Sequence, residues 1–109
     1  MAQSSNILRG QYVDLMAVIL GRLGHLQEAL VFAAKSVELA TANCGPEAEA
    51  TLSTTSNHAA LLISAGRFDE GIAILTRVLA TETRVLGADH VRTRATKRYL
   101  DSVSAAMRA

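Results

Sequence analysis

The feature that most limits the fold of this chain is an internal repeat with an offset of 42 residues. This offset places Gly24 onto Gly66 and Gly45 onto Gly87, and identical or similar residues recur at many positions between them. A repeat of this length is typical of a solenoid, in which a single unit cannot bury its own apolar face and neighbouring units must stack. The sequence therefore predicts stacked copies of one supersecondary unit.

Each unit is predicted to be a pair of antiparallel helices. Apolar residues recur at helical spacing on both sides of the break at Gly66, at Leu52, Ala59 and Leu62 before it and at Phe68, Ile72, Leu75 and Leu79 after it. The chain has a single proline and no run of alternating apolar and polar residues, which argues against a sheet. With only 4% aromatic residues, the composition favours closely packed helices and an all-α fold.

Five helices are expected, in one domain of about two and a half repeats. The domain is divided into repeat one at about 5–45, repeat two at about 46–87, and an unpaired final helix at about 89–107. Gly45 and Pro46 separate the first two units, with Pro46 expected at the first position of the third helix. Glu47 and Glu49 are expected in the same first turn, where the helix dipole favours a carboxylate. Asp89 is the expected N-cap of the final helix.

Two segments resemble the tetratricopeptide repeat family. The segment 57–72, NHAALLISAGRFDEGI, resembles the hairpin of such a repeat, and the segment 79–93, LATETRVLGADHVRT, resembles the joint of the longer kinesin-light-chain type. The longer second helix of that type accounts for an offset above the usual ~34 residues. The resemblance implies a solenoid that binds proteins or peptides. Gly71 stands where the family usually has alanine, so we expect looser packing there, and His58 stands where leucine is usual.

The resemblance also implies a binding groove, lined by the first helix of each unit. The residues at the lining positions are Gln11, Asp14, Val18 and Arg22, then Ser53, Ser56, Asn57, Ala60 and Ser64, then Arg98, Tyr99 and Ser102. Asn57 matches the family's groove asparagine, whose amide offers both a donor and an acceptor to the backbone of a peptide. The equivalent positions hold Leu15 and Tyr99, so only one such asparagine is present. The alternative is that Asn57 bonds to a neighbouring helix.

Other classes of function have little support in the sequence. The three histidines, His25, His58 and His90, form no pair at helical metal-binding spacing, and no catalytic motif accompanies them. Cys44 is the only cysteine, so no intramolecular disulfide is possible. A net charge of +1 provides no electrostatic footprint for nucleic acid. We therefore expect a cytoplasmic protein that is not an enzyme and has no cofactor, metal, nucleic-acid or membrane partner.

Two surface features remain. The residues Arg92, Arg94, Lys97 and Arg98 form a basic cluster, interpreted as a solvated outer face or alternatively as a docking site for an acidic peptide. The segment 13–20 is apolar nearly all the way round, which a terminal helix with one buried face does not require. It predicts self-association as a homodimer, through the first helix, the last helix or exchange of a terminal element, or packing against neighbours in a longer array. The alternative function is a purely structural or oligomerisation unit without a peptide ligand.

Overall fold

The computed structural model describes residues 2–108, with side chains from residue 9 onward, and these residues form five α-helices and no strand. The helices are α1 Ala2–Arg22, α2 Leu26–Cys44, α3 Glu49–Ser64, α4 Phe68–Val85 and α5 Val91–Arg108. Each helix packs against the next one along the chain, and α1 also contacts α3. The predicted all-α fold of helical hairpins is confirmed. The division into repeats at the bounds given above stays a prediction.

The turns within the two hairpins have the same geometry. Gly24 and Gly66 have φ angles of 85° and 84°, in the region that glycine adopts without steric cost. Both turns close with the hydrogen bond of a Schellman cap, from His25 N to Leu20 O at 2.9 Å and from Arg67 N to Leu62 O at 2.8 Å. Positions 42 residues apart in the sequence therefore occupy equivalent places in the structure.

The joint between the hairpins differs from the prediction. Pro46 and Glu47 precede α3, which begins at Glu49, so neither lies in the first turn of that helix. The reason is that Gly45, with φ 94° and ψ 160°, leads the chain into a short turn before the helix. The hydroxyl of Thr51 donates to the carbonyl oxygen of Gly45 at 2.6 Å and fixes this turn on the first residues of α3.

The N-cap of the final helix also differs from the prediction. Since α5 begins at Val91, the residue before it is His90 and not Asp89. The Nδ1 atom of His90 accepts a hydrogen bond from the backbone N–H of Arg92 at 3.1 Å. This bond satisfies one of the donors that a helix start leaves free, so the capping group is an imidazole.

The core is built from small and branched aliphatic residues at the contacts between successive helices. Its most deeply buried apolar side chains are Ala17, Ala29, Ala33, Ala59, Leu62 and Leu75. Alanines at these contacts let neighbouring helices approach closely. The expectation of looser packing at Gly71 was wrong, because α4 approaches α3 so closely there that a side chain would collide with Ile63 and with the backbone of Ala59.

Candidate functional site

Three cavities lie along the surface formed by α1, α3 and α5, and we call this surface the groove. The first cavity, of about 250 Å³, lies between α1, α2 and α3. The second, of about 360 Å³, lies between α3, α4 and α5. The third, of about 420 Å³, lies at the other end of α1 and α3. Ser53 lines the first and second cavities, and Asn57 and Ala60 line the second and third, so neighbouring cavities adjoin.

Most of the predicted groove residues line these cavities. Asp14 lines the first, Ser56, Asn57, Ala60 and Tyr99 line the second, and Val18, Arg22, Asn57 and Ala60 line the third. Arg98 and Ser102 line none of the three and are exposed on α5. The structure thus brings together the predicted residues of α1 and α3 with Tyr99, and leaves Arg98 and Ser102 outside the cavities.

Asn57 occupies the centre of the groove. It is half-buried on α3, at the boundary between the second and third cavities. Its side-chain amide makes no hydrogen bond with any residue whose side chain the structure describes. A half-buried amide with its donor and acceptor both unused by the described neighbours can bond to the backbone of an added chain.

A buried carboxylate in the second cavity was not predicted from the sequence. Glu82 on α4 is only 1% exposed, and its Oε2 atom lies 3.8 Å from Nε of Arg92. Its Oε1 atom has no hydrogen-bond partner among the described residues. The signal was present in the spacing, since Glu82 follows Leu75 and Val78 on the buried face of α4. A residue at that spacing lies on the same buried face of the helix as Leu75 and Val78.

Arg92 belongs to this cavity and not to an outer face. Its guanidinium lies between two carboxylates, with Nη1 3.9 Å from Oε1 of Glu49 and Nε 3.8 Å from Glu82. Lys97, also assigned to the basic cluster, forms an ion pair with Asp101 at 3.2 Å. The interpretation of Arg92, Arg94, Lys97 and Arg98 as one outer basic face was therefore wrong for Arg92.

Tyr99 contributes the aromatic ring of the second cavity. Burial raises the pKa of its hydroxyl above the ordinary value, so the phenol stays neutral at physiological pH. The ring therefore adds an apolar face with a polar edge and no charge.

The first cavity is lined by residues that lie 42 positions before residues of the second cavity, but its carboxylate is at a different position. The offset of 42 residues places Ala40 and Ala50 at the positions of Glu82 and Arg92, and both alanines line the first cavity. Its carboxylate comes from Asp14, which accepts a hydrogen bond from the hydroxyl of Ser36 at 3.3 Å. The two cavities thus share equivalent lining positions and differ in which helix supplies the acid.

Other kinds of functional site have little support in the described residues. No group of three or more metal-ligating side chains lies together in that part of the chain. His58 is half-buried in α3, and burial, followed by the nearby Arg67, lowers its pKa below the ordinary value. Among residues 2–108, none of the helices is both long enough and apolar enough to cross a bilayer.

A second surface lies at the other side of α1. Tyr12, Leu15, Ile19 and Leu23 form a stripe at helical spacing and are between 41% and 67% exposed, and we call it the α1 stripe. The residue equivalent to Ile19 is Leu61, whose side chain packs against the α-carbon of Gly21. The α1 stripe therefore corresponds to the face with which α3 packs on the preceding hairpin.

The comparison with known families matches one part of the chain. Residues 51–92 match the family model described as a tetratricopeptide repeat, and this range covers α3, α4 and the joint to α5. No curated protein matches the chain. The matched range includes Asn57, Glu82 and Arg92 of the second cavity.

Proposed function

We propose that the protein is an interaction module that binds an extended peptide segment of a partner protein in the groove, because residues 51–92 match the tetratricopeptide repeat model. Repeats of this family bind protein partners in general and are not enzymes. We also propose that the protein is cytoplasmic, because its one cysteine can form no intramolecular disulfide. It does not include a nucleic-acid partner, because the net charge is only +1.

The observation that carries the proposal is the environment of Asn57. The three cavities share lining residues and mark a path along α1, α3 and α5, and the amide of Asn57 lies near its middle without a described hydrogen-bond partner. A peptide laid along this path would place its backbone N–H and C=O within reach of the amide. Peptide binding along such a surface obtains affinity from the main chain and specificity from side-chain pockets.

The proposal is tested by selecting linear peptides from a random displayed library against the whole protein and measuring their affinity by calorimetry. Asn57→Ala should weaken the selected peptides by about tenfold, which corresponds to loss of one to two hydrogen bonds. Ala60→Arg should abolish binding, because it fills the boundary of two cavities. Gln27→Ala, on the exposed side of α2, is the control. Peptides that bind both groove variants as well as wild type would refute groove binding.

The second candidate function, self-association, is favoured by the α1 stripe. Four exposed apolar side chains in one row are typical of an interface. The opposite end of the molecule does not match it, because α5 carries the exposed charged residues Arg94, Lys97, Arg98 and Asp101. We therefore propose contact between the α1 stripes of two copies, related by a two-fold axis, and not head-to-tail stacking.

Light scattering tests this second candidate. At micromolar concentration we expect a mass of twice the 11.6 kDa of one chain. Leu15→Glu should convert the protein to single chains, because it places a charge in the centre of the stripe. Val31→Glu is the matched control, since Val31 is an isolated exposed apolar residue on α2. A mass of one chain for wild type would refute self-association and leave peptide binding in the groove untouched.

A further inference from the structure

We propose that the second cavity binds a cationic side chain, a lysine or an arginine of the partner segment, through the carboxylate of Glu82. The inference rests on the proposed function, because the cation arrives as part of a peptide lying in the groove. It adds the chemical class of the partner, which neither the fold nor the family determines.

The charges around the second cavity are not balanced once Glu49, which lies outside the cavity lining, is counted. Glu82 and Glu49 lie on either side of Arg92, so two carboxylates share one guanidinium and one negative charge remains. Glu82 and Arg92 are the charged residues that line the cavity, and Glu49 contacts Arg92 from its exposed side. A net negative charge next to a cavity favours a cationic ligand over an acidic or neutral one.

Glu82 also retains an unused acceptor. Its Oε1 atom is buried without a hydrogen bond from the described residues, and a buried carboxylate oxygen without a donor is unfavourable. An ammonium or guanidinium group in the cavity would donate to this atom and form a charge-assisted hydrogen bond. The ligand would thus supply what the folded chain does not.

Arg92 does not donate a hydrogen bond to Glu82. The distances of 3.8 Å to Glu82 and 3.9 Å to Glu49 are too long for hydrogen bonds, and Nε of Arg92 is itself without a partner in the described part of the chain. Nor is the ion pair needed to stack the hairpins, because Ala40 and Ala50 hold the equivalent positions at the first joint. A role beyond stacking explains why these residues are charged at the second joint.

The rest of the cavity suits a cationic side chain. Tyr99 presents an aromatic ring there, and the face of such a ring attracts a cation. Asn57 lines the same cavity, so a peptide backbone bonded to its amide would place the following side chain in the cavity. The volume of about 360 Å³ accommodates the aliphatic stem of a lysine or an arginine.

The test uses two small probes of nearly the same shape, the cationic N-acetyl-arginine N-methylamide and its neutral citrulline analogue, titrated into the ¹⁵N-labelled whole protein. We expect the arginine compound to shift the amide signals of Asn57, Ala60 and Tyr99, with citrulline binding at least tenfold more weakly. Glu82→Gln keeps the shape and removes the charge, and it should weaken the arginine compound at least tenfold. Glu38→Gln, on the exposed face of α2, is the matched control and should have no effect.

Equal binding of the two probes to wild type would overturn the inference, and this comparison does not depend on any variant folding. Unchanged binding of the arginine compound to a folded Glu82→Gln protein would overturn it as well. The results that would refute the cationic pocket differ from those that would refute the proposed function. Selected peptides that need Asn57 but contain no lysine or arginine would refute the cationic pocket and support the groove. Selected peptides that bind the Asn57→Ala protein as tightly as wild type would refute peptide binding in the groove.

Discussion

The α-carbon of Gly71 on α4 lies directly against the backbone of Ala59 on α3. A Cβ atom at position 71 would be 2.9 Å from the carbonyl oxygen of Ala59 and 2.5 Å from Cγ1 of Ile63. Distances below 3.0 Å essentially do not occur for real Cβ atoms, so a side chain could enter only if the helices moved apart. The absence of a side chain at Gly71 therefore sets the spacing of the second hairpin.

Gly71→Ala should accordingly lower the free energy of unfolding by about 1–3 kcal/mol, the usual cost of overpacking. This loss should exceed the gain of ~1 kcal/mol in helix propensity that alanine brings. Gly10→Ala is the control, because a Cβ atom there would lie 3.8 Å from Cβ of Leu39, an ordinary contact. Gly10→Ala should stabilise the protein in urea unfolding. A Gly71→Ala protein as stable as wild type would show that the two helices are not in this contact.

The two repeat-equivalent threonines Thr51 and Thr93 provide a second test. Both are 3% exposed and both follow a joint glycine by six residues. The hydroxyl of Thr51 donates to the carbonyl of Gly45 at 2.6 Å, whereas the hydroxyl of Thr93 is buried without a partner among the described residues.

Thr51→Val should therefore destabilise the protein by about 1–2 kcal/mol, because a buried hydrogen bond is lost while its acceptor remains. Thr93→Val should leave the stability unchanged or raise it, since the same substitution removes an unsatisfied hydroxyl at a similar shape. Urea unfolding of the two variants side by side gives the comparison. Equal losses in both would mean that Thr93 makes a hydrogen bond comparable to that of Thr51.

The hairpins could be predicted from the sequence because their determinants are local. Gly24 and Gly66 need a positive φ angle, and apolar residues at helical spacing flank each of them. The joint after α2 was predicted less accurately than the hairpins. Proline is common at the first position of a helix, but here the positive φ angle of Gly45 and the hydroxyl of Thr51 delay the start of α3 to Glu49.

The candidate site was predictable only in part. The resemblance to the repeat family placed Asn57 and Asp14 on the groove, and both line cavities there, because helical spacing fixes which side chains share a face. Glu82 was missed because its charge, which ordinarily keeps a residue exposed, outweighed its position on the buried face, and the opposing Arg92 comes from the final helix. Whether Arg92 turns inward or outward depends on how α5 packs on α4, which is a tertiary property.

His58 makes the stability of the fold sensitive to pH. Burial, and then the positive charge of Arg67, lowers its pKa below 6.5, with Glu70 opposing the shift. The unfolded chain therefore takes up a proton at a higher pH than the folded protein does. The free energy of unfolding should be highest above the unfolded pKa and should fall as the pH drops below about 6.5, until the folded form is protonated too.

His58→Leu should reduce this loss of stability at acid pH, because leucine buries the same region without a group that must charge. The measurement is urea unfolding of wild type and variant at about pH 7.5 and about pH 5, on either side of the ordinary histidine pKa. The gain of the variant over wild type should be larger at the lower pH. Asn57→Leu is the control, because it places the same side chain at a neighbouring half-buried position of α3 and removes no titratable group. If His58→Leu and wild type lost stability in parallel between the two pH values, the buried imidazole would not be the group that senses acid.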